Sequence, residues 1–139
     1  MSKSNYLKNA IIKAVLAGEP PEFIQDKSIF VALHYDDPTG LNSNHKQDAF
    51  EVSYDGYSRV EIIKSSDTFT AKDATGSNNV DISFSPCRSG GQIAKYWSFG
   101  RSAEGPGDIL YSGKMSGELG IGPMSIPFAP KNDINITEG

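Results

Sequence analysis

The hydrophobic positions of this chain change rhythm once. From residue 5 to residue 17, Leu7, Ala10, Ile11, Ala14 and Val15 recur at three- and four-residue spacing, which gathers them on one side of a helix. Ser4 stands where an N-cap would, Gly18 can take the left-handed conformation that closes a helix, and Pro20-Pro21 forbids its continuation. A helix this short is marginal in isolation, so it either packs on its own domain or docks on a neighbouring molecule. Leu7, Ile11 and Val15 are the contact residues expected of it.

Beyond the helix the period falls to two. Residues 28–35 read as a buried strand; Val80, Ile82 and Phe84 point one way while Asp81, Ser83 and Ser85 point the other; Ile134 and Ile136 repeat the pattern. Further strands are predicted over 50–54, 57–64, 92–99, 108–114 and 124–128, each bounded by Gly, Pro, Asn or Asp. Linkers are expected over 39–48, 71–79 and 100–107. Asp55-Gly56, between Tyr54 and Tyr57, predicts a type I′ hairpin turn with a strand on either side. The whole reads as a mainly β chain: an antiparallel β-sandwich or jelly-roll-like domain over 19–139, preceded by an N-terminal amphipathic α-helix within 1–18.

Composition narrows the function classes. At 139 residues the chain suits one core and is too short for two ordinary domains. A net charge of −4, with 13 scattered basic residues, argues against nucleic acid as a partner, because that affinity rests on concentrated Lys and Arg. Cys87 is the one cysteine, so an internal disulfide is excluded. No stretch approaches the ~20 apolar residues of a membrane span, and no export signal is visible, so no membrane partner is expected.

Several residues could in principle carry chemistry. The run FVALHYDDPTG ends an apolar stretch with His34, Asp36 and Asp37. Strand alternation puts His34 and Asp36 on one face, which a shared metal ion would need, but no second ligand cluster completes a coordination sphere. Asp-Asp-Pro-Thr-Gly is also the chemistry of a turn, and that reading is the stronger. Cys87, beside Arg88, has only His34 and His45 as potential bases, and no nucleophile elbow, phosphate loop or dinucleotide fingerprint is present. No catalytic residue, cofactor or metal is assigned. Glu51, Asp55 and Glu61 fall around a hairpin, where solvated carboxylates are ordinary. Trp97 and Phe99 share a predicted face with Ile93 and belong to a core, leaving Tyr96 opposite as the better exposed aromatic.

The order of these pieces carries more than any one of them. An opening Asn5-Tyr-Leu-Lys-Asn-Ala-Ile-Ile helix is followed by a Pro-rich link, FVALHYDDPTG, Gly56-Tyr-Ser-Arg-Val60, and Asn79-Val-Asp-Ile-Ser-Phe-Ser-Pro86. Then come the strand from Gln92, Asp108-Ile-Leu-Tyr-Ser-Gly-Lys114, Ile126-Pro-Phe and Ile134-Asn-Ile136. This series resembles a family of small tailed-phage virion proteins usually labelled tail fibre-like, over nearly the whole chain. The resemblance implies that FVALHYDDPTG ends a core strand and begins a surface loop, and it brings no catalytic residues. It implies a non-enzymatic virion structural protein made in the bacterial host cytoplasm and bound in many copies to the particle.

Such a protein would serve as a head decoration or cement protein, or as a tail fibre or adaptor component. The lack of a long coiled coil or repeated shaft tilts the balance towards decoration or adaptor. Major capsid or tail proteins are the expected partners, together with further copies of the chain in a symmetric homo-oligomer. Two other readings stay open. One is a carbohydrate- or receptor-binding module for host attachment, with Tyr35, Tyr54, Tyr57 or Tyr96 as stacking surfaces. The other is a hydrolase with Glu51 and Glu61 as acid and base.

Overall fold

A computed structural model describes residues 2–138. The order of elements is β1 (Ser2–Lys3), α1 (Asn5–Ala17), a 3-10 turn (Glu22–Gln25), β2 (Ser28–His34), β3 (Val60–Ile63), β4 (Phe69–Lys72) and β5 (Thr75–Asn78). It continues with β6 (Ile82–Ser83), β7 (Gln92–Gly100), β8 (Ile109–Ile121), β9 (Phe128–Ala129) and β10 (Asn135–Thr137). The main sheet has the order β1-β8-β7-β2-β3; β10-β5-β4 form a second sheet and β6-β9 a short ribbon, with every pairing antiparallel. The mainly β architecture with one N-terminal helix is as the period change predicts.

Register explains the core. Val31 pairs with Phe99 and Leu33 with Trp97, so these four side chains share the inner face of the main sheet. Phe84, Ile82, Ala129 and Ile134 close over them from the ribbon and the second sheet. The Trp97 and Phe99 rings lie 5.0 Å apart, and Phe69 meets Phe99 edge-on at 5.6 Å. Gly113, opposite Trp97 in the register, is needed there: a Cβ would come within 2.5 Å of the indole.

Three local expectations are corrected. Ile93 does not share the face of Trp97. Ala94 pairs with Leu119 and Tyr96 with Lys114, so residues 115–118 bow out of the ladder. That irregularity breaks the alternation, leaving Ala94 buried and Ile93 exposed.

The Asp55-Gly56 turn forms, with Tyr57 N–H donating to Tyr54 O at 3.0 Å, but only Gly56 takes a positive φ. A turn of that kind does not match the twist of a tight hairpin, and no ladder runs across it; on its N-terminal side Glu51 makes an isolated bridge to His34 instead. The type I′ signature of two positive φ values in succession lies at Asp73 and Ala74, inside the segment read as a linker, and there it joins β4 to β5.

Candidate attachment surface and buried polar clusters

The N-terminal half of α1 is fastened to its own domain. Leu7 N–H donates to Ser4 Oγ at 3.1 Å, and the Ser4 hydroxyl also reaches the carbonyl of Ile109, while Ser4 N–H donates to Leu110 O at 3.1 Å. The N-cap is thus stitched into the edge of β8. Leu7 is only 3% exposed. Arg101, just past β7, donates to both carboxylate oxygens of Asp26 at 2.6 and 3.1 Å, to Tyr6 Oη at 2.7 Å and to Glu22 at 3.2 Å. This fork joins the helix start, the 3-10 turn and the main sheet. The Asp26 bond holds Arg101 above the ordinary guanidinium range, and Arg101 in turn holds the Asp26 carboxyl below its usual value.

The C-terminal half of the helix is different. Ile12, Val15 and Leu16 are 57%, 74% and 81% exposed. Gly18, at φ 68, ends the helix with its N–H bonded to Lys13 O. The expected trio of Leu7, Ile11 and Val15 is therefore divided: Leu7 is buried in the domain, Ile11 is half-buried and Val15 stands in solvent. Each step of four residues drifts about 40° around a helix, so Val15 has turned away from the face of Leu7. Ile12 and Leu16, not singled out by the sequence, share that exposed side. Their own four-residue spacing is the signal that could have found them.

The strand–turn segment holds no open site. His34 is fully buried, with Nδ1 2.8 Å from Ala49 O and Nε2 2.7 Å from Ser98 Oγ. Since a carbonyl only accepts, Nδ1 carries the proton and Nε2 accepts from the Ser98 hydroxyl. Gln47 Nε2 donates to Phe30 O at 2.9 Å and to Ser98 Oγ at 3.3 Å, closing the cluster over Gly100, where a Cβ would meet the Gln47 amide at 2.1 Å. Burial lowers the His34 pKa to about 4. A Ser–His pair is thus present, but Ser98 and His34 are both 0% exposed, so the hydroxyl meets no substrate. Asp37 caps the following turn, accepting from Thr39 N–H at 3.0 Å.

The Gly-Tyr-Ser-Arg element proves to be a clamp. Arg59 donates through Nε and Nη2 to the two oxygens of Glu51 at 2.8 Å each, and the Tyr57 hydroxyl donates to Glu51 at 2.5 Å. Arg59 also holds a loop through Ser102 O at 2.9 Å and Gly105 O at 2.6 Å. Burial pulls the Arg59 pKa down, but the paired bond to Glu51 together with the negative charge of Glu51 and its neighbours outweighs it and leaves a net rise. The Tyr57 hydroxyl is driven far above the ordinary range by burial and by the Glu51 charge. Glu51 is occupied by this clamp, and Glu61 accepts from Ser28 Oγ at 2.8 Å on β3.

The remaining candidates separate by exposure. The Tyr54 ring is buried with its hydroxyl donating to Ser85 O at 2.6 Å, and Tyr57 stacks on Phe84 at 6.3 Å, so neither offers a stacking face as expected of them. Tyr96 is half-buried. Tyr35 is 47% exposed and braced edge-on by Phe50 at 5.8 Å. Cys87 is buried. Among the described residues no group of His, Cys, Asp and Glu is arranged to hold a metal ion, and no helix is long and apolar enough to cross a membrane.

Comparison with known families places this architecture. A family model described as Podophage GP4 fiber I protein gp80 matches residues 2–137, which takes in every element from β1 to β10. The chain belongs to this phage fibre family. No curated protein matches it. Membership makes it a phage virion structural protein, associated with other components of the particle. The Gly56-Tyr-Ser-Arg59 run acquires a physical meaning here: it carries the loop clamp built on Arg59 and Glu51.

Proposed function

We propose that this protein is a non-enzymatic fibre or adaptor component, present in many copies and fixed to the virion through the exposed half of α1. The observation that carries this reading is the row of Ile12, Val15 and Leu16, largely exposed on a helix whose other half is anchored. A short helix fastened at one end presents its apolar residues in a fixed orientation, which lowers the entropy cost of docking on another virion protein. Segment 1–18, which carries α1, then acts as the attachment element and 19–139 as the body. The occupation of His34, Ser98 and Glu51 by internal bonds supports a structural role over a hydrolytic one. Synthesis in the host cytoplasm followed by assembly with tail proteins fits a chain with one buried thiol.

Antibody labelling of purified virions, viewed by electron microscopy, tests the placement. Label confined to the tail supports a fibre or adaptor; regular label over the head would make it a capsid decoration protein. A second reading, a receptor- or glycan-binding module, rests on Tyr35, whose exposed ring is held by Phe50. Glycan-array binding that is lost in Tyr35→Ala would support it, and a flat array with folded protein would remove it.

A further inference from the structure

Leu41 is fully exposed, at 105% of its reference area, yet its turn is firmly held. Gly40 N–H donates to Asp37 O at 3.3 Å, Ser43 N–H to Gly40 O at 3.1 Å, and Thr39 Oγ1 lies 2.6 Å from Ser112 Oγ on the main sheet. The Ser43 hydroxyl closes the same turn on Pro38 O. A branched aliphatic side chain projecting from a turn already ordered by its own hydrogen bonds has the character of an interface anchor, because little ordering entropy is left to lose on binding.

The same chain carries a matching recess. Between the main sheet and the β6-β9 ribbon lies a cavity of about 60 Å³, walled by Val31, Leu33, Phe84, Trp97 and Ile134, with the exposed Lys114 and Asp133 also on its lining. At ~10–15 Å³ for each water-sized sphere this admits roughly four to six heavy atoms, the size of one leucine side chain. It is too small for Ile12, Val15 and Leu16 side by side. Lys114 and Asp133 have opposite charge and make no ion pair among the described residues. Residues 39–44 are uncharged, so they meet neither with like-charge repulsion, and the Asn42 amide can donate to Asp133 and accept from Lys114.

We propose that copies of this chain join head to tail, with Leu41 of one copy seated in the Trp97 cavity of the next. The inference rests on the reading that the protein acts in many copies, and it names the contact between them. Leu41's turn is bonded to Ser112, whereas Trp97 pairs with Gly113, so knob and recess lie on opposite faces of the main sheet. Two copies therefore cannot satisfy each other reciprocally. Each pair leaves one knob and one recess free, and the association continues into a ring or row.

Trp97 is the one tryptophan, so its emission reports on the recess. In a dilution series of the full chain, sedimentation mass is expected to rise past the dimer with concentration, with Trp97 emission moving to shorter wavelength in step. Leu41→Asp removes the knob and Ser116→Arg blocks the mouth from an exposed position; each is expected to weaken association about 10- to 100-fold. Because one variant keeps its recess and the other its knob, an equal mixture is expected to stop at a 1:1 heterodimer. A wild-type chain that stays monomeric with unchanged emission, a series that stops at a dimer, or a mixture no tighter than its components would each overturn the proposal. None of these outcomes touches the virion placement, which the labelling experiment reads separately.

Discussion

The two halves of α1 put their apolar residues to opposite use. Tyr6 and Leu7, with the cap residue Ser4, are spent on β8, Arg101 and the 3-10 turn, whereas Ile12, Val15 and Leu16 touch little of their own chain. The difference shows that an apolar residue on a terminal helix is not by itself evidence of an interface. Leu7 serves stability, and the residues one and two turns later are free to serve assembly.

The largest expected effect lies on the anchored side. Leu7→Ala should lower unfolding stability by about 2–4 kcal/mol, read as a lower urea midpoint, because it empties a closed site. A loss no greater than that of Leu16→Ala would erase the distinction between the halves.

The polar cover over the main sheet behaves like the anchored half, and acid tests it. His34 binds a proton near pH 6.5 in the unfolded chain and near 4 in the folded one. The unfolded state therefore holds more protons between those values. The stability His34 contributes is complete above about pH 6.5, falls as pH drops through the window and levels below about 4, a total on the order of 3 kcal/mol. Urea midpoints measured across this range should lose that part of their slope in His34→Gln; an unchanged slope would show that the imidazole is not enclosed.

A smaller effect is expected at the cap. Ser4→Ala removes the bonds to Leu7 N–H and Ile109 O and should cost about 1 kcal/mol, with Ser4→Thr, which keeps the hydroxyl, recovering part of it, as thermal melts would show. Smallest of all is Val15→Ser with Leu16→Ser, where stability should stay within about 0.5 kcal/mol of wild type, since neither side chain is buried.

Much of this was legible in the sequence. Helix α1, its Ser4 and Gly18 caps, strands β2 and β7 and the first half of β8 follow from period and punctuation, because those signals are local. The turn at Asp36-Asp37-Pro38 was likewise readable from its residue types. What was not legible depends on partners distant in the chain. The clamp needs Glu51 to meet Arg59 and the loop at 102–105, and the β4–β5 hairpin needs Ala74 to accept a positive φ that alanine does not advertise. Ile93 was misplaced because the excursion at 115–118 belongs to the neighbouring strand, not to its own. The exposed side of α1 was half legible: Val15 was named, but the drift that separates it from Leu7 and groups it with Ile12 and Leu16 required knowing which face the domain covers.

The most direct test is to count copies of the protein in purified virions assembled with Val15→Ser/Leu16→Ser in place of wild type, alongside melts of both purified proteins. The account predicts unchanged melting and a protein largely missing from the particles. Full incorporation of the folded variant would contradict it and would move the attachment surface away from α1.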